Sequence, residues 1–385
     1  MTTVFVIGAG ASKDFGFPDG NELIANIAEL CERVKQPSQY TPTESLFGNL
    51  LFSDRDVLAV SSAINIAIRD KTDSLTYESW TDAVTLARRI WLAKSIDNFI
   101  HQQQSPSIQF LGKLSIVASI LKAEARDVTT PKDKYTPVRL KLDNRYRGNL
   151  VLNYQALRNT WLGKFFREIT DGLEFADLET RFKNTKLIVF NYDGCVEYFM
   201  VNAIRTFYDV AENEALKVFE HLQIIHPYGQ IGFDDDAGST EPVRQVEYGE
   251  DFDAEKLAIA ARRIKTFKEV HNQNNKSKIT GIIQDAETLV FLGFGFDEQN
   301  MRYLGCSDEK LELMPSRQPR KIFATGYGLT KFRHEAVRVM LREIAFGHAK
   351  LSNFEDGRES DIIRLEDATC GDLIDQFGGD FFTEP

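Results

Sequence analysis

The chain has 385 residues, 43% of them hydrophobic and 27% charged, with a formal net charge of −11. That balance excludes wholesale disorder, and the length allows two domains or one domain with a large insertion, stable without disulfides or a structural metal. The acidic excess argues against a protein that coats nucleic acid unaided. No apolar run approaches the roughly 20 residues that span a bilayer. The opening MTTVFVIGAG lacks the basic stretch and cleavage site of a secretion signal. Cys31, Cys195, Cys306 and Cys370 stand far apart with no C-x-x-C pair, which speaks against a zinc ribbon or a disulfide framework. The expected compartment is a reducing cytoplasm, with no membrane partner and no metal.

Thr3 to Ile7 reads as a buried strand, followed by the loop Gly8-Ala9-Gly10-Ala11-Ser12 and a helix from about Asn21 to Val34. Asp19 and Glu22 form a capping-box pattern at that helix start. Asp56 to Ile68, Trp80 to Phe99, Ile108 to Ala125 and Val151 to Ile169 lack strand alternation and read as helices. Ala83, Val84, Ala87, Ile90 and Trp91 give the second an amphipathic stripe. Gln36 to Gly48 and Pro131 to Gly148, with their prolines and glycines, read as breaks between them. Strand character returns at Lys186 to Phe190, Leu222 to Ile225, Thr288 to Leu292 and Lys321 to Ala324, short apolar runs of the kind buried on both faces of a parallel sheet. Asp234 to Asp251 reads as a surface loop. The expected architecture is α/β: a doubly wound parallel-sheet core (1–35 and 185–350), a helical insertion (36–184) and an acidic tail (351–385). The tail carries ten acids against Arg358 and Arg364, −8 of the total charge, whereas 131–148 is locally +4. Each run reads either as a solvated face or as a docking surface.

In such sheets ligands sit beyond the carboxyl ends of the strands. The residues found there are GAGAS after the first strand, NYD after the second, HPYG after the third and GFGFD after the fourth. Gly8-Ala9-Gly10 suits a backbone that approaches a pyrophosphate, although a tight βα turn with no ligand has the same glycines. Lys13 stands where the dehydrogenase fingerprint needs its third glycine, and no P-loop is present. A dinucleotide without hydride chemistry is the expectation. Asn191 and Asp193 also suit a helix cap, and a histidine at a strand end is often structural. Phe294 and Phe296 suit core packing as well as a nucleotide platform. His101, His271, His334 and His348 show no ligand spacing, and His221 is the natural control for His226.

Gly8-Ala9-Gly10-Ala11-Ser12 followed by Gly16-Phe17-Pro18-Asp19 resembles the sirtuin NAD-binding opening G-A-G-x-S-x-x-x-G-[IF]-P-D. Asn191-Tyr192-Asp193 resembles the sirtuin N-x-D. His226 resembles the catalytic histidine before a glycine, here with two residues between. Gly293-Phe294-Gly295-Phe296-Asp297 is similar to a loop that sirtuin-like proteins place against the nucleotide. The four motifs follow family order over residues 1 to 35 and 185 to 330. Departures are equally specific: Gly20-Asn21 replaces the Phe-Arg of deacylases, the zinc-binding cysteine pairs are missing, and a helical block is inserted. The combination resembles sirtuin-like NAD hydrolases of bacterial antiviral defence, in particular the sirtuin-like subunit that works beside a HerA-class hexameric ATPase.

The resemblance implies a Rossmann-like, sirtuin-like core that cleaves the nicotinamide–ribose bond of NAD⁺, a substrate here, to nicotinamide and ADP-ribose. Asn191, Asp193 and His226 would be catalytic. Gly8, Ala9, Gly10, Ala11, Ser12, Pro18, Asp19, Gly293, Phe294 and Gly295 would bind the nucleotide. Asp193 suits a carboxylate that holds the nicotinamide amide and favours the ribosyl cation, Asn191 an orienting amide, and His226 a general base. ADP-ribosyl transfer or deacylation would use the same first step, and a silent NAD-binding scaffold is the reading from a different class. A homo-oligomer joined to a HerA-class ATPase, touching nucleic acid only through that partner, completes the expectation.

Overall fold

The computed structural model describes residues 2–36, 51–125, 137–138, 140–146, 149–231, 248–265, 269, 275–305, 320–346 and 359–382. Most of the basic stretch 131–148, the loop 234–247 and the break 37–48 lie outside the described residues.

Six strands form one all-parallel sheet: β1 (Thr3–Ile7), β4 (Thr185–Val189), β5 (Gln223–Ile225), β6 (Thr288–Leu292), β7 (Lys321–Thr325) and β8 (Ile363–Glu366), in the order β5-β4-β1-β6-β7-β8. A separate antiparallel pair joins β2 (Leu142–Tyr146) to β3 (Asn149–Leu152). Counted along the chain among themselves, the six parallel strands lie in the order 3-2-1-4-5-6, the arrangement of doubly wound dinucleotide-binding sheets. The direction of winding reverses between β1 and β6. Thr3 is in register with both Thr185 and Thr288, and Ile7 with both Val189 and Leu292, so three strands end level. Every residue of β1 and β6 is buried, as expected where helices cover both faces.

The helix Gly20–Arg33 starts at the expected box: Asp19 accepts from the Asn21 and Glu22 amides, and Glu22 accepts from the Asp19 amide. Its buried stripe packs on helices Ser79–Arg89 and Pro106–Ala125. Pro106–Ala125 is the axis of the helical block and is buried nearly all round, Lys113 and Glu124 included. Ser115 and Ser119 satisfy their hydroxyls on the carbonyls of Leu111 and Ser115, 2.8 Å each. Among the described residues no helix is long and apolar enough to cross a membrane. Helix Ala254–Arg263, from the β5-to-β6 crossover, packs on Pro106–Ala125 and on Asp54–Arg69. The block therefore recruits a segment that the sequence places in the core.

Three segments differ from the expected elements. The helix expected over 80–99 breaks after Arg89 into a short turn, Ile90–Leu92, and restarts at Ile96, where the Ser95 hydroxyl caps the Asn98 amide at 3.2 Å. Trp91 faces outward, 58% exposed, whereas Ala83, Ala87 and Ile90 are fully buried. The stretch 151–169 splits into the end of β3, one turn at Tyr154–Leu157 and helix Trp161–Thr170. That last helix supports the sheet: Phe165 meets Phe5 edge-on with centroids 4.9 Å apart. The acidic stretch expected as a tail supplies β8 and helix Cys370–Phe377, whose start Thr369 caps. Phe381, fully buried, packs on Phe5 and Phe323.

Candidate functional site

Gly8 and Gly293 stand at the point where the winding reverses. The Gly8 amide donates to the Leu292 carbonyl at 3.0 Å, and the Gly10 amide to the Gly293 carbonyl at 2.9 Å. A Cβ on Gly293 would lie 2.1 Å from the Ala11 nitrogen, and its φ of 58° is left-handed. The two glycine loops thus meet backbone to backbone, which leaves Ala9, Gly10 and Gly295 exposed at the rim. Phe294 and Phe296 are buried in the core, 5.3 Å apart edge-on, so any contact of Phe294 with a ligand falls to its backbone. Phe296 holds a left-handed φ of 50°, and its carbonyl accepts from Arg333 at 2.6 Å. Pro18 and Asp19 stand apart, at the next helix start, where Asp19 also pairs with Lys13 at 2.6 Å.

Behind the first loop lies a buried polar network. Asn191 donates its amide to the Gly8 carbonyl (3.1 Å) and to the Ser12 hydroxyl oxygen (2.7 Å). Ser12 donates in turn to Asp193 Oδ2 at 2.8 Å, while Asp193 Oδ1 accepts from the Cys195 amide at 3.1 Å. Ser12, Asn191 and Asp193 are all buried. Burial pushes the Asp193 carboxyl above the usual range and the Glu197 charge adds to this, against the lowering effect of its donors Cys195 and Ser12.

His226 joins the same network from the end of β5. Its Nδ1 lies 3.0 Å from the Asn191 carbonyl oxygen and its Nε2 lies 2.7 Å from Glu197 Oε1. Burial alone would push the imidazole toward neutrality. The Glu197 charge and hydrogen bond outweigh it, with the Asn191 carbonyl and Asp193 adding, so His226 titrates above the ordinary histidine range. His221, the control, is about one-third exposed and 3.7 Å from Glu179 on the surface. The structure therefore gathers Ser12, Asn191, Asp193 and His226 and leaves His221 outside.

Sequence reasoning missed four contributors. Glu197 sits in the first turn of helix Cys195–Tyr208; its spacing of four from Asp193 is the visible signal. Asp97, from the helical block, accepts the Tyr192 hydroxyl at 3.0 Å, and Lys94 lies 3.5 Å from Asp297. The helical block thereby contacts both the NYD and GFGFD loops. Trp161 donates its indole N–H to the Ala11 carbonyl at 2.7 Å and its backbone amide to Asp14. Nothing in the local pattern around Asp97 or Trp161 announces these long-range contacts.

Among the described residues no group of three or more His, Cys, Asp or Glu side chains is placed to hold a metal ion. A surface hollow of about 360 Å³ opens at the opposite end of the sheet, lined by Thr3, Asn184 and Thr185 among others. It lies at the amino ends of β1 and β4, so strand polarity favours the network at their carboxyl ends. No family model matches the chain, and no curated protein matches it significantly.

Proposed function

We propose that the chain is a sirtuin-like NAD⁺ glycohydrolase. One observation carries the reading: Ser12, Asn191, Asp193 and His226, from three separate strand ends, form one hydrogen-bonded set beside the reversal point of a 3-2-1-4-5-6 sheet. NAD⁺ would enter as substrate at the exposed rim of the two glycine loops. Nicotinamide leaves with the electrons of its bond to ribose, and the ribosyl cation is captured by water. The balance is NAD⁺ plus water to nicotinamide, ADP-ribose and a proton. Asp193 supplies negative potential for the cation, and Asn191 supplies a neutral, oriented amide. His226 Nε2 receives the proton of the attacking water once it has passed its own proton to Glu197 Oε1 in the bound state.

Product analysis of purified protein with NAD⁺ tests the reading. Free ADP-ribose and nicotinamide in equal amounts support hydrolysis, whereas a modified protein or an O-acyl product places the chain among transferases or deacylases. One observation favours a second reading, a silent nucleotide-binding scaffold: both Asp193 oxygens and the Asn191 amide are already satisfied by the protein itself. That reading predicts NAD binding with no nicotinamide release. A cytoplasmic antiviral role in a homo-oligomer with a HerA-class ATPase belongs to the proposal on the resemblance alone. Native mass measurement of the chain, with and without such a partner, tests it.

A further inference from the structure

We propose that Glu197 is a positioning residue of this site, acting through His226: it fixes the ring so that Nδ1–H is delivered to the Asn191 carbonyl and the Nε2 proton is retained. The kinetic part rests on the glycohydrolase reading; the geometric part does not. A carbonyl can only accept, so the 3.0 Å contact with Asn191 places a proton on Nδ1. A second proton lies between Nε2 and Glu197 Oε1, 2.7 Å apart. The His226 side chain is 6% exposed and that of Glu197 14%, so solvent does not substitute for either partner.

The relay continues beyond the ring. By holding the Asn191 main chain, His226 sets where the Asn191 amide points, toward Gly8 and Ser12, and Ser12 holds Asp193. Glu197 thus reaches Asn191 and Ser12 through the histidine, its one side-chain hydrogen-bond partner among the described residues, and its charge also acts on Asp193. Its second oxygen, Oε2, is buried with no hydrogen-bond partner among the described residues. The charged groups acting on His226 are Glu197 and Asp193, while Glu124, on the long helix of the block, acts on Cys195 next to them.

Imidazole NMR of the full chain tests this. The expected result is a His226 protonated at both nitrogens at neutral pH. In Glu197→Gln its midpoint should fall by at least about one pH unit. The pH profile of nicotinamide release should move the same way, with kcat changed more than KM for NAD⁺, and Glu197→Asp should restore part of both. A His226 with an ordinary midpoint and a bare Nε2 in the unsubstituted protein overturns the proposal, and that measurement decides even if Glu197→Gln fails to fold. An unmoved midpoint in a folded Glu197→Gln protein overturns it equally. If the unsubstituted chain releases no nicotinamide at any pH, the glycohydrolase reading fails, and the histidine titration still decides the role of Glu197.

Discussion

Tyr192 donates its hydroxyl to Asp97 across 3.0 Å, and this bond joins the residue between Asn191 and Asp193 to the helical block. Burial lifts the Asp97 carboxyl above its usual range, with the nearby Asp297 charge adding, so this carboxyl depends on its donor. Tyr192→Phe should therefore leave a costly acceptor and destabilise the chain by about 1–3 kcal/mol. Asp97→Asn, which keeps an acceptor and removes the charge, should cost less than that. Urea unfolding of both variants checks the order. If Tyr192→Phe is the milder of the two, the bond does not tie the block to the site.

The contact between the glycine loops makes a sharper contrast. Gly293→Ala would place a methyl 2.1 Å from the Ala11 nitrogen at a left-handed φ, with backbone rather than a movable side chain in the way. A loss of more than about 3 kcal/mol is expected, or a chain that does not fold. Gly295→Ala meets open space and should cost less than about 1 kcal/mol. Thermal unfolding of the two single variants checks this. Similar losses at the two positions would mean that the close approach of the loops does not govern stability.

What was legible in the sequence follows the range of the interaction. The Asp19–Glu22 box is local, and it stands as expected. β1, β4, β6 and β7 are apolar enough to read as strands wherever they fall. β8 was hidden because it is an edge strand: Ile363 and Leu365 point inward while Arg364 and Glu366 alternate with them, inside a stretch whose net charge suggests a tail. The break at Ala93 to Ser95 was hidden because no proline or glycine marks it and apolar residues resume at once with Ile96 and Phe99. The strand-end motifs marked Ser12, Asn191, Asp193 and His226, but not their wiring. The Asp97 partnership spans 95 positions, and no periodicity carries that information.

The C-terminal segment changes what a truncation reports. β8 pairs with β7 from Ile363 to Glu366, and Lys164, itself buried, holds Asp375 at 2.5 Å and the Gly371 carbonyl at 3.1 Å. Removing residues 359–385 would strip an edge strand and expose Phe5 and Phe323, which Phe381 covers. The truncated chain should lose cooperative unfolding or aggregate, as seen by circular dichroism and size-exclusion chromatography. A truncated chain that stays folded with an unchanged melting temperature would return this segment to the status of a tail.

Stability should also depend on pH through His226. Its folded midpoint is raised, so its contribution is fully present below about 6.5, the unfolded value, and is lost as pH rises through the folded midpoint. Asp193, also raised, acts with the same sign in the acid range. Denaturant unfolding of the unsubstituted protein should therefore weaken as pH climbs above about 6.5, and His226→Gln should flatten that slope. A slope of opposite sign, or one indifferent to His226→Gln, would show that the pair with Glu197 is not charged in the folded chain.

Chemistry is tested most directly at Asn191 and the two histidines. Asn191→Ala removes the amide that bridges Gly8 and Ser12, and with it the orientation of Asp193 through Ser12. His226→Ala removes the group that holds the Asn191 carbonyl and engages Glu197. Each should reduce nicotinamide release by at least about two orders of magnitude, the scale of a positioned acid–base or orienting group. His221 lies outside that network, 3.7 Å from the surface carboxylate of Glu179, and His221→Ala should leave turnover unchanged. The comparison is made on folded variants at matched NAD⁺, with nicotinamide quantified by chromatography. Turnover that survives Asn191→Ala but is abolished by His221→Ala would move the reaction away from the β1–β4–β5 strand ends and sink the assignment of this site.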